Sequence, residues 1–212
     1  MELADAKKEL RQRMLKLRSQ IPDHVRRQQS VEAARQAEHA VLEPLRQRRG
    51  GSLNVSCYVS FGDEPHTSPL IENCLSRGDR VLVPKIGAER SLSLHELSGE
   101  ADLVPGTWGI MEPAEHTAIW PEACYNEIDM MIIPGLAFDL NGGRIGFGAG
   151  YYDRLIDRMM SGHGGNTRVI LAALALKDLI ISEEIPMEAH DFRLSVLFAP
   201  DGPIYMNRDL RH

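Results

Sequence analysis

Short apolar runs alternate along this chain with segments of helical spacing, and this alternation restricts the fold more than any other feature. Residues 53–61, 80–86, 128–138 and 167–176 form four mostly apolar runs of strand length. Strands that are apolar on both sides belong to sheets covered by helices on both faces, and such sheets are mostly parallel. The sequence therefore predicts one α/β domain over residues 1–212, with a mostly parallel sheet and helices on both faces.

A pair of helices is predicted at the N-terminus. Apolar residues recur at three- and four-residue steps over 3–21, and a second helix is expected from residue 23 to about residue 45. Further helices are predicted before Gly78 and over 151–160. The run 167–176 is predicted as a strand, although its Ala and Leu residues also suit a helix.

Three remaining stretches complete the predicted order of elements. Residues 90–97 alternate in polarity, which predicts a strand with one wet face. Residues 102–113 are expected to be irregular. Residues 193–207 predict a strand and a turn at Asp201 and Gly202, in a terminal hairpin.

Charge and cysteine content exclude several classes of protein. A formal net charge of -6 argues against broad nucleic-acid binding, which needs a cationic face. Cys57, Cys74 and Cys124 are too scattered for a disulfide framework or a CxxC zinc site. The charged N-terminus lacks a signal peptide, and the longest apolar run, 169–176, is too short to cross a bilayer. The expected location is the cytoplasm.

The segment GGRIGFGAGYYDR, residues 142–154, places five glycines within nine positions between an apolar strand and a helix. Glycine-rich turns and helix N-termini expose N–H groups that bind anions, above all phosphate. Arg144 adds a cation suited to phosphate, and Asp153 could cap the helix or hold Mg²⁺. Neither GxGxxG nor GxxxxGK[ST] is present, so a phosphate site and a plain surface loop both remain open.

Other polar residues have a structural and a functional interpretation. Lys7 and Arg11 lie one helical turn apart, either on a solvated face or facing an anion. Glu64 follows the first strand and either supports a helix cap or accepts hydrogen bonds from ligand N–H groups. Trp108 lies between glycines, where it packs or stacks on a flat ligand. Asp191 is either a turn residue or a metal ligand.

These stretches occur in an order that matches a known family. The matching motifs are KKELR with Lys7 and Arg11, Glu64 followed by Thr67, VLVP, GIMEP, PGLAFDLNGGRIGFGAGYYDR, and His190–Asp191. Together they resemble the 5-formyltetrahydrofolate cyclo-ligase family, also called methenyltetrahydrofolate synthetase. The resemblance runs nearly end to end, and the long glycine motif is its most specific part.

The resemblance implies an ATP- and Mg²⁺-dependent enzyme that converts 5-formyltetrahydrofolate to 5,10-methenyltetrahydrofolate. The formyl oxygen would take the γ-phosphoryl group of ATP, N10 would attack the formyl carbon, and ADP and phosphate would be released. The protein would supply alignment and charge neutralisation, as in phosphoryl transfer generally. The expected partners are these small molecules, without nucleic acid or membrane, and the expected state is a monomer.

The resemblance also assigns roles to matching positions. Expected catalytic residues are Lys7, Arg144 and Tyr151. Expected nucleotide-binding residues are Lys7, Lys8, Arg11, Gly143, Arg144, Ile145, Gly146, Phe147, Gly148, Ala149, Gly150, Tyr151 and Tyr152. Expected folate-binding residues are Val59, Phe61, Glu64, Trp108 and Tyr151. Expected metal ligands are Asp153 and Asp191.

The chain departs from the family pattern at two positions of the glycine segment, and two alternative functions are also considered. Some members of the family carry basic residues where this chain has Phe147 and Ala149, which would shift anion binding onto Arg144, Lys7, Arg11 and magnesium. A sugar-phosphate isomerase of similar architecture would use the glycine loop for a substrate phosphate and would need no ATP. A non-catalytic folate or nucleotide binder would keep the site without turnover.

Overall fold

The computed structural model describes residues 3–106, 109–162, 168–188 and 191–206. The helices are α1 (Leu3–Ser19), α2 (Asp23–Ala37), α3 (Glu43–Arg49), α4 (Ser68–Ser76) and α5 (Tyr151–Ser161). A π-helical turn, Glu38–Leu42, joins α2 to α3 without a break. The second predicted helix therefore continues to Arg49, and it ends where Gly50 adopts a left-handed conformation with φ 71°.

Twelve strands lie in the described ranges. They are β1 (Asn54–Cys57), β2 (Arg80–Ile86), β3 (Leu92–Leu97), β4 (Leu103–Pro105), β5 (Met111–Pro113), β6 (Met130–Ile132), β7 (Ala137–Asp139), β8 (Arg144–Ile145), β9 (Ile170–Leu174), β10 (Ile180–Ile181), β11 (Val196–Ala199) and β12 (Gly202–Tyr205). Seven of them form one sheet in the order β12-β11-β9-β6-β1-β2-β3. Within the predicted strand 167–176, Ile170–Leu174 form β9, which confirms a strand there.

The five central strands of this sheet are parallel, and each edge carries one antiparallel strand. β2 pairs antiparallel with β3, and β11 pairs antiparallel with β12 across a turn at Pro200 and Asp201, one residue before the predicted position. The predictions of a mostly parallel sheet and of a terminal hairpin are confirmed. The edge strands have short connections because a hairpin needs only a turn, whereas parallel neighbours need a crossover.

Apolar side chains cover both faces of the sheet. On one face, Leu10 and Met14 of α1 and Leu155 of α5 pack with Met131. On the other face, α2 and α4 contribute Ala33, Ala34, Ala37, Leu70, Ile71 and Cys74, which pack with Met130 and other strand residues. The N-terminal helical pair is thus divided between the two faces. Neighbouring strand residues such as Met130 and Met131 point to opposite cores, which explains the absence of polar alternation.

Three predicted stretches differ from the structure. Residues 53–61 were expected to form one strand, but β1 covers only Asn54–Cys57. Residues 128–138 were expected to form one strand, but β6 ends at Ile132 and β7 belongs to a separate three-stranded sheet, β10-β7-β8. Pro134 lies between them and has no N–H to continue the ladder. Within 102–113, which was expected to be irregular, β4 and β5 form a short antiparallel pair.

The order of the strands reverses at β1, and this reversal places the site. The chain passes from β1 to β2 on one side, and later enters β6 on the other side of β1. In open α/β sheets, ligands bind beyond the carboxyl ends of the strands where the order reverses. The segments that follow β1 and β6 meet at that edge. No helix in the described ranges is long and apolar enough to span a bilayer.

Candidate active site

A cavity of about 700 Å³ opens at the carboxyl ends of β1 and β6. Its walls come from α1, from the segment after β1, from the glycine loop that precedes α5, and from residues near the end of the chain. Its volume lies within the usual range of about 300–1,000 Å³ for small-molecule sites. The topology therefore gathers chain-distant segments around one ligand-sized space.

A buried carboxylate fixes the start of the glycine loop. Asp139 is 1% exposed. It accepts hydrogen bonds from the backbone N–H groups of Asn141 (2.8 Å), Gly143 (2.7 Å) and Ile185 (2.8 Å). The N–H of Gly143 thus serves the loop's own framework, and Gly143 does not line the cavity.

Two glycines let guanidinium groups approach the loop closely. A Cβ on Gly146 would lie 2.6 Å from Nη1 of Arg144, and a Cβ on Gly148 would lie 3.2 Å from Cζ of Arg11. Gly148 also has a φ of 93°, which side chains rarely adopt. The glycines therefore allow both the turn and the close packing of two cations against it.

The first helix docks directly on this loop. Arg11 donates a hydrogen bond from Nε to the carbonyl oxygen of Gly146 at 2.9 Å. One turn earlier, Nζ of Lys7 lies 2.7 Å from Oδ2 of Asp191 and 3.1 Å from Oε2 of Glu188. Burial opposes the charge on Lys7, but the two carboxylates outweigh it and raise its pKa. Lys7 is therefore held protonated at the cavity wall.

Arg144 lies beside the loop with its side chain 10% exposed. It donates to the carbonyl oxygen of Pro134 (3.1 Å) and to Oδ1 of Asp153 (3.2 Å), and it stacks on the ring of Phe192 at 4.9 Å. Burial lowers the pKa of Arg144, while Asp153 favours its charged form. The stacking and the hydrogen bonds fix the direction of the guanidinium.

The wall after β1 is less polar and carries two acids, Asp63 and Glu64. Val59 and Phe61 line the cavity, and Oε2 of Glu64 accepts a hydrogen bond from the N–H of Phe61 at 2.9 Å. Burial raises the pKa of Glu64, although this hydrogen bond opposes the shift. Burial also raises the pKa of Tyr58 and of Tyr152 well above its ordinary value, so both phenols stay neutral.

Most of the predicted site residues lie around this one cavity. Those that line it are Lys7, Arg11, Val59, Phe61, Glu64, Arg144, Ile145, Gly146, Phe147, Gly148, Ala149, Gly150, Tyr151, Tyr152, Asp153 and Asp191. Lys8 is exposed on α1 and does not line the cavity. Trp108 and His190 lie outside the described residues.

The structure adds cavity residues that the sequence analysis did not single out. Arg18 lines the cavity and is 3% exposed, and Glu112 lines it and is 6% exposed. Oε1 of Glu112 is buried and, within the described part of the chain, has no hydrogen-bond partner. Arg18 follows Arg11 by seven residues, which is two helical turns, so helical spacing places it on the same face as Lys7 and Arg11, although no site role was predicted for it.

Asp153 and Asp191, the predicted metal ligands, both line the cavity. Asp153 accepts one hydrogen bond on Oδ1 and its side chain is 32% exposed, whereas Asp191 is ion-paired with Lys7. In the described ranges, no group of three or more His, Cys, Asp or Glu residues forms a metal cluster. Mg²⁺ at nucleotide sites is usually held by one or two carboxylates together with phosphates and water, so Asp153 fits that pattern.

Comparison with known proteins identifies the family. A model described as the 5-formyltetrahydrofolate cyclo-ligase family matches residues 4–200. The chain belongs to that family. The resemblance inferred from the motifs is confirmed, and so is the prediction that the chain is an enzyme of the ligase class.

Relatives of this cyclo-ligase cover nearly its whole length. The 5-formyltetrahydrofolate cyclo-ligase of Mycolicibacterium smegmatis is 30% identical over 92% of this chain and 94% of its own. The probable 5-formyltetrahydrofolate cyclo-ligase of Caenorhabditis elegans is 30% identical over 91% of each chain. The solved structure of 5,10-methenyltetrahydrofolate synthetase from Aquifex aeolicus superposes with a TM-score of 0.76 at 28% identity, covering 97% of this chain and 96% of that one.

Proposed function

We propose that this cyclo-ligase converts 5-formyltetrahydrofolate to 5,10-methenyltetrahydrofolate with ATP and Mg²⁺. Family membership supports the reaction. The observation that carries the proposal is the contact between Nε of Arg11 and the carbonyl of Gly146, which brings the first helix onto the glycine loop. That contact places Lys7, Arg11 and Arg144 around one cavity, with Glu64 on the wall after β1.

The cationic end of the cavity suits the phosphates of ATP. Lys7, Arg11 and Arg144 would donate to phosphate oxygens together with N–H groups of the glycine loop. Two of these cations already face carboxylates, Lys7 at Asp191 and Arg144 at Asp153. Nucleotide binding would exchange these pairs for contacts with phosphate. Mg²⁺, held by Asp153 and with Asp191 as a second candidate, would neutralise phosphate charge when bound.

The opposite wall suits the folate. Val59 and Phe61 would contact the ring system, and Glu64 would accept hydrogen bonds from its N–H groups. Tyr151 lines the cavity at the start of α5 and would lie between the two substrates. Trp108 stays a predicted folate contact outside the described residues.

Alignment and charge neutralisation are the protein's contributions to the reaction. The formyl oxygen would attack the γ-phosphorus as the bond to the bridging oxygen breaks and ADP leaves. N10 would then attack the formyl carbon and lose its proton to solvent, and the C–O bond would break with release of phosphate. Arg144 and Lys7 would stabilise the charge on the transferred group, because fixed cations in a partly closed cavity act more strongly than in water.

The test is a spectroscopic assay. Protein, ATP, Mg²⁺ and 5-formyltetrahydrofolate are mixed, and the absorbance of the methenyl product is followed. Arg144→Ala should reduce turnover by about 10²-fold or more, since a transition-state cation is lost. Arg35→Ala, which removes an exposed arginine from α2, is the matched control and should leave turnover unchanged. Near-normal turnover in Arg144→Ala would refute the assignment.

Two further measurements distinguish the alternatives. A sugar-phosphate isomerase would show no thermal stabilisation by ATP with or without Mg²⁺, whereas the cyclo-ligase should be stabilised by both together. A non-catalytic binder would bind 5-formyltetrahydrofolate without the absorbance change. A cytoplasmic location, a monomeric state, a single domain over 1–212 and the absence of nucleic-acid binding stay predictions.

A further inference from the structure

Arg18 is a buried cation whose hydrogen-bonding capacity is mostly unused. Its side chain is 4% exposed, and Nη2 lies 2.6 Å from Oδ1 of Asp63. Nε and Nη1 are both buried and have no hydrogen-bond partner among the residues that the structure describes. Leaving such donors unsatisfied is unfavourable, above all on a charged group, so a purely structural role does not account for them.

The position of Arg18 connects the two walls of the cavity. Its guanidinium lies 5.3 Å from the centre of the Phe147 ring, which belongs to the glycine loop. Asp63, its ion-pair partner, belongs to the segment after β1 and precedes Glu64. Arg18 also lies on the same helix as Lys7 and Arg11, and all three line the cavity. It therefore contacts both the loop proposed for phosphate and the wall proposed for folate.

We propose that Arg18 binds the phosphoryl group as it passes from ATP to the formyl oxygen. This inference rests on the proposed function of the same cavity. As the bond from the formyl oxygen to the γ-phosphorus forms, the bond to the bridging oxygen breaks and its electron pair leaves with ADP. Arg18 stays protonated throughout and donates N–H groups to the equatorial oxygens. Because Arg18 lies between the two proposed substrate sites, it is placed to contact the phosphoryl group during the transfer.

Phe147 controls access to Arg18. The two unpartnered nitrogens are buried, so an anion reaches them only after a neighbouring side chain moves. Phe147 is 58% exposed, and its ring can therefore swing into solvent at little cost in packing. Its departure would exchange a cation–π contact for hydrogen bonds to phosphate, which are stronger.

The experiment compares variants at one position that differ mainly in charge. Arg18→Met keeps most of the side-chain volume and removes the cation, whereas Arg18→Lys keeps a cation with fewer donors. Arg13→Met removes an exposed arginine from the same helix and is the matched control. Each variant is assayed for methenyl formation at varied ATP, and thermal unfolding establishes that it is folded. Asp63→Asn tests whether Arg18 acts only through its ion pair.

The proposal expects a loss in kcat rather than in KM for ATP. Arg18→Met should reduce kcat by about 10²-fold with the KM for ATP within about threefold. Arg18→Lys should be at least about tenfold faster than Arg18→Met. Arg13→Met should match the wild-type protein, and Asp63→Asn should lose much less than Arg18→Met.

Several results would overturn it. Equal rates for the Met and Lys variants, or a loss confined to the KM for ATP, would show that the charge of Arg18 does not act during transfer. An equal loss of kcat in Asp63→Asn would show that Arg18 acts only through its ion pair with Asp63, which would then be a structural contact. If Arg18→Met fails to fold, Arg18→Gln, which is polar and uncharged, takes its place, and a rate equal to that of Arg18→Lys refutes the proposal. A wild-type protein that forms no methenyl product refutes the proposed function itself.

Discussion

Replacing Asp139 by asparagine removes one charge from the framework of the glycine loop while keeping its shape. The carboxylate is 1% exposed and accepts three backbone hydrogen bonds. Oδ1 accepts from Asn141 and Gly143, and Oδ2 accepts from Ile185. An asparagine can present its oxygen to only one side. Its NH₂ group must then face a backbone N–H, so a donor meets a donor.

The magnitude follows from the bonds that are lost. With the amide oxygen toward Asn141 and Gly143, only the bond from Ile185 is broken, and that N–H is buried. A hydrogen bond to a charged group contributes about 1.5–3 kcal/mol, and an unsatisfied buried donor costs a similar amount. Asp139→Asn should therefore lower the free energy of unfolding by about 2–3 kcal/mol. This is a large share of the typical 5–15 kcal/mol for a folded domain.

Urea unfolding followed by circular dichroism measures this change. The midpoint should fall while the slope with urea stays the same, because the surface exposed on unfolding is unaltered. Asp157→Asn is the control, since Asp157 is exposed on α5 and its replacement should change stability by less than about 0.5 kcal/mol. A variant at Asp139 as stable as this control would show that the three hydrogen bonds do not hold the loop.

Three further outcomes follow from the structure. Gly148→Ala should weaken ATP binding in a nucleotide titration, because the φ of 93° is strained for alanine and a Cβ would lie 3.2 Å from Cζ of Arg11; unchanged affinity would contradict the close packing of helix and loop. Cys57 and Cys74 should react with a thiol reagent only on unfolding, because burial raises both thiol pKa values, that of Cys74 to about 12; rapid labelling of either in the native protein would refute this. Burial raises the pKa of Glu64 above 4.5, so its contribution to stability is present below pH 4.5 and is lost as pH rises through the folded pKa. The stability of Glu64→Gln relative to the wild-type protein should therefore increase from pH 4 to pH 7. A difference in unfolding free energy between the two proteins that is the same at both pH values would contradict this.

The sequence alone predicted the architecture and much of the site. Runs that are apolar on both sides specify a covered parallel sheet, because each strand must bury both of its faces. The order of strand, glycine segment and helix at 128–154 was also readable, although Pro134 divides the predicted strand in two. These features are local, since they depend on the period of apolar residues and on the backbone preferences of glycine and proline.

Only the tertiary structure decided how distant segments meet. Helical spacing puts Lys7 and Arg11 on one face, but nothing in that spacing says that the face contacts Gly146, which lies 135 residues after Arg11. The burial of Arg18 and the pairing of Lys7 with Asp191 could not be predicted from the sequence either. Such contacts depend on how whole surfaces pack around the sheet, and a short stretch of sequence describes the surface of one element without its partner.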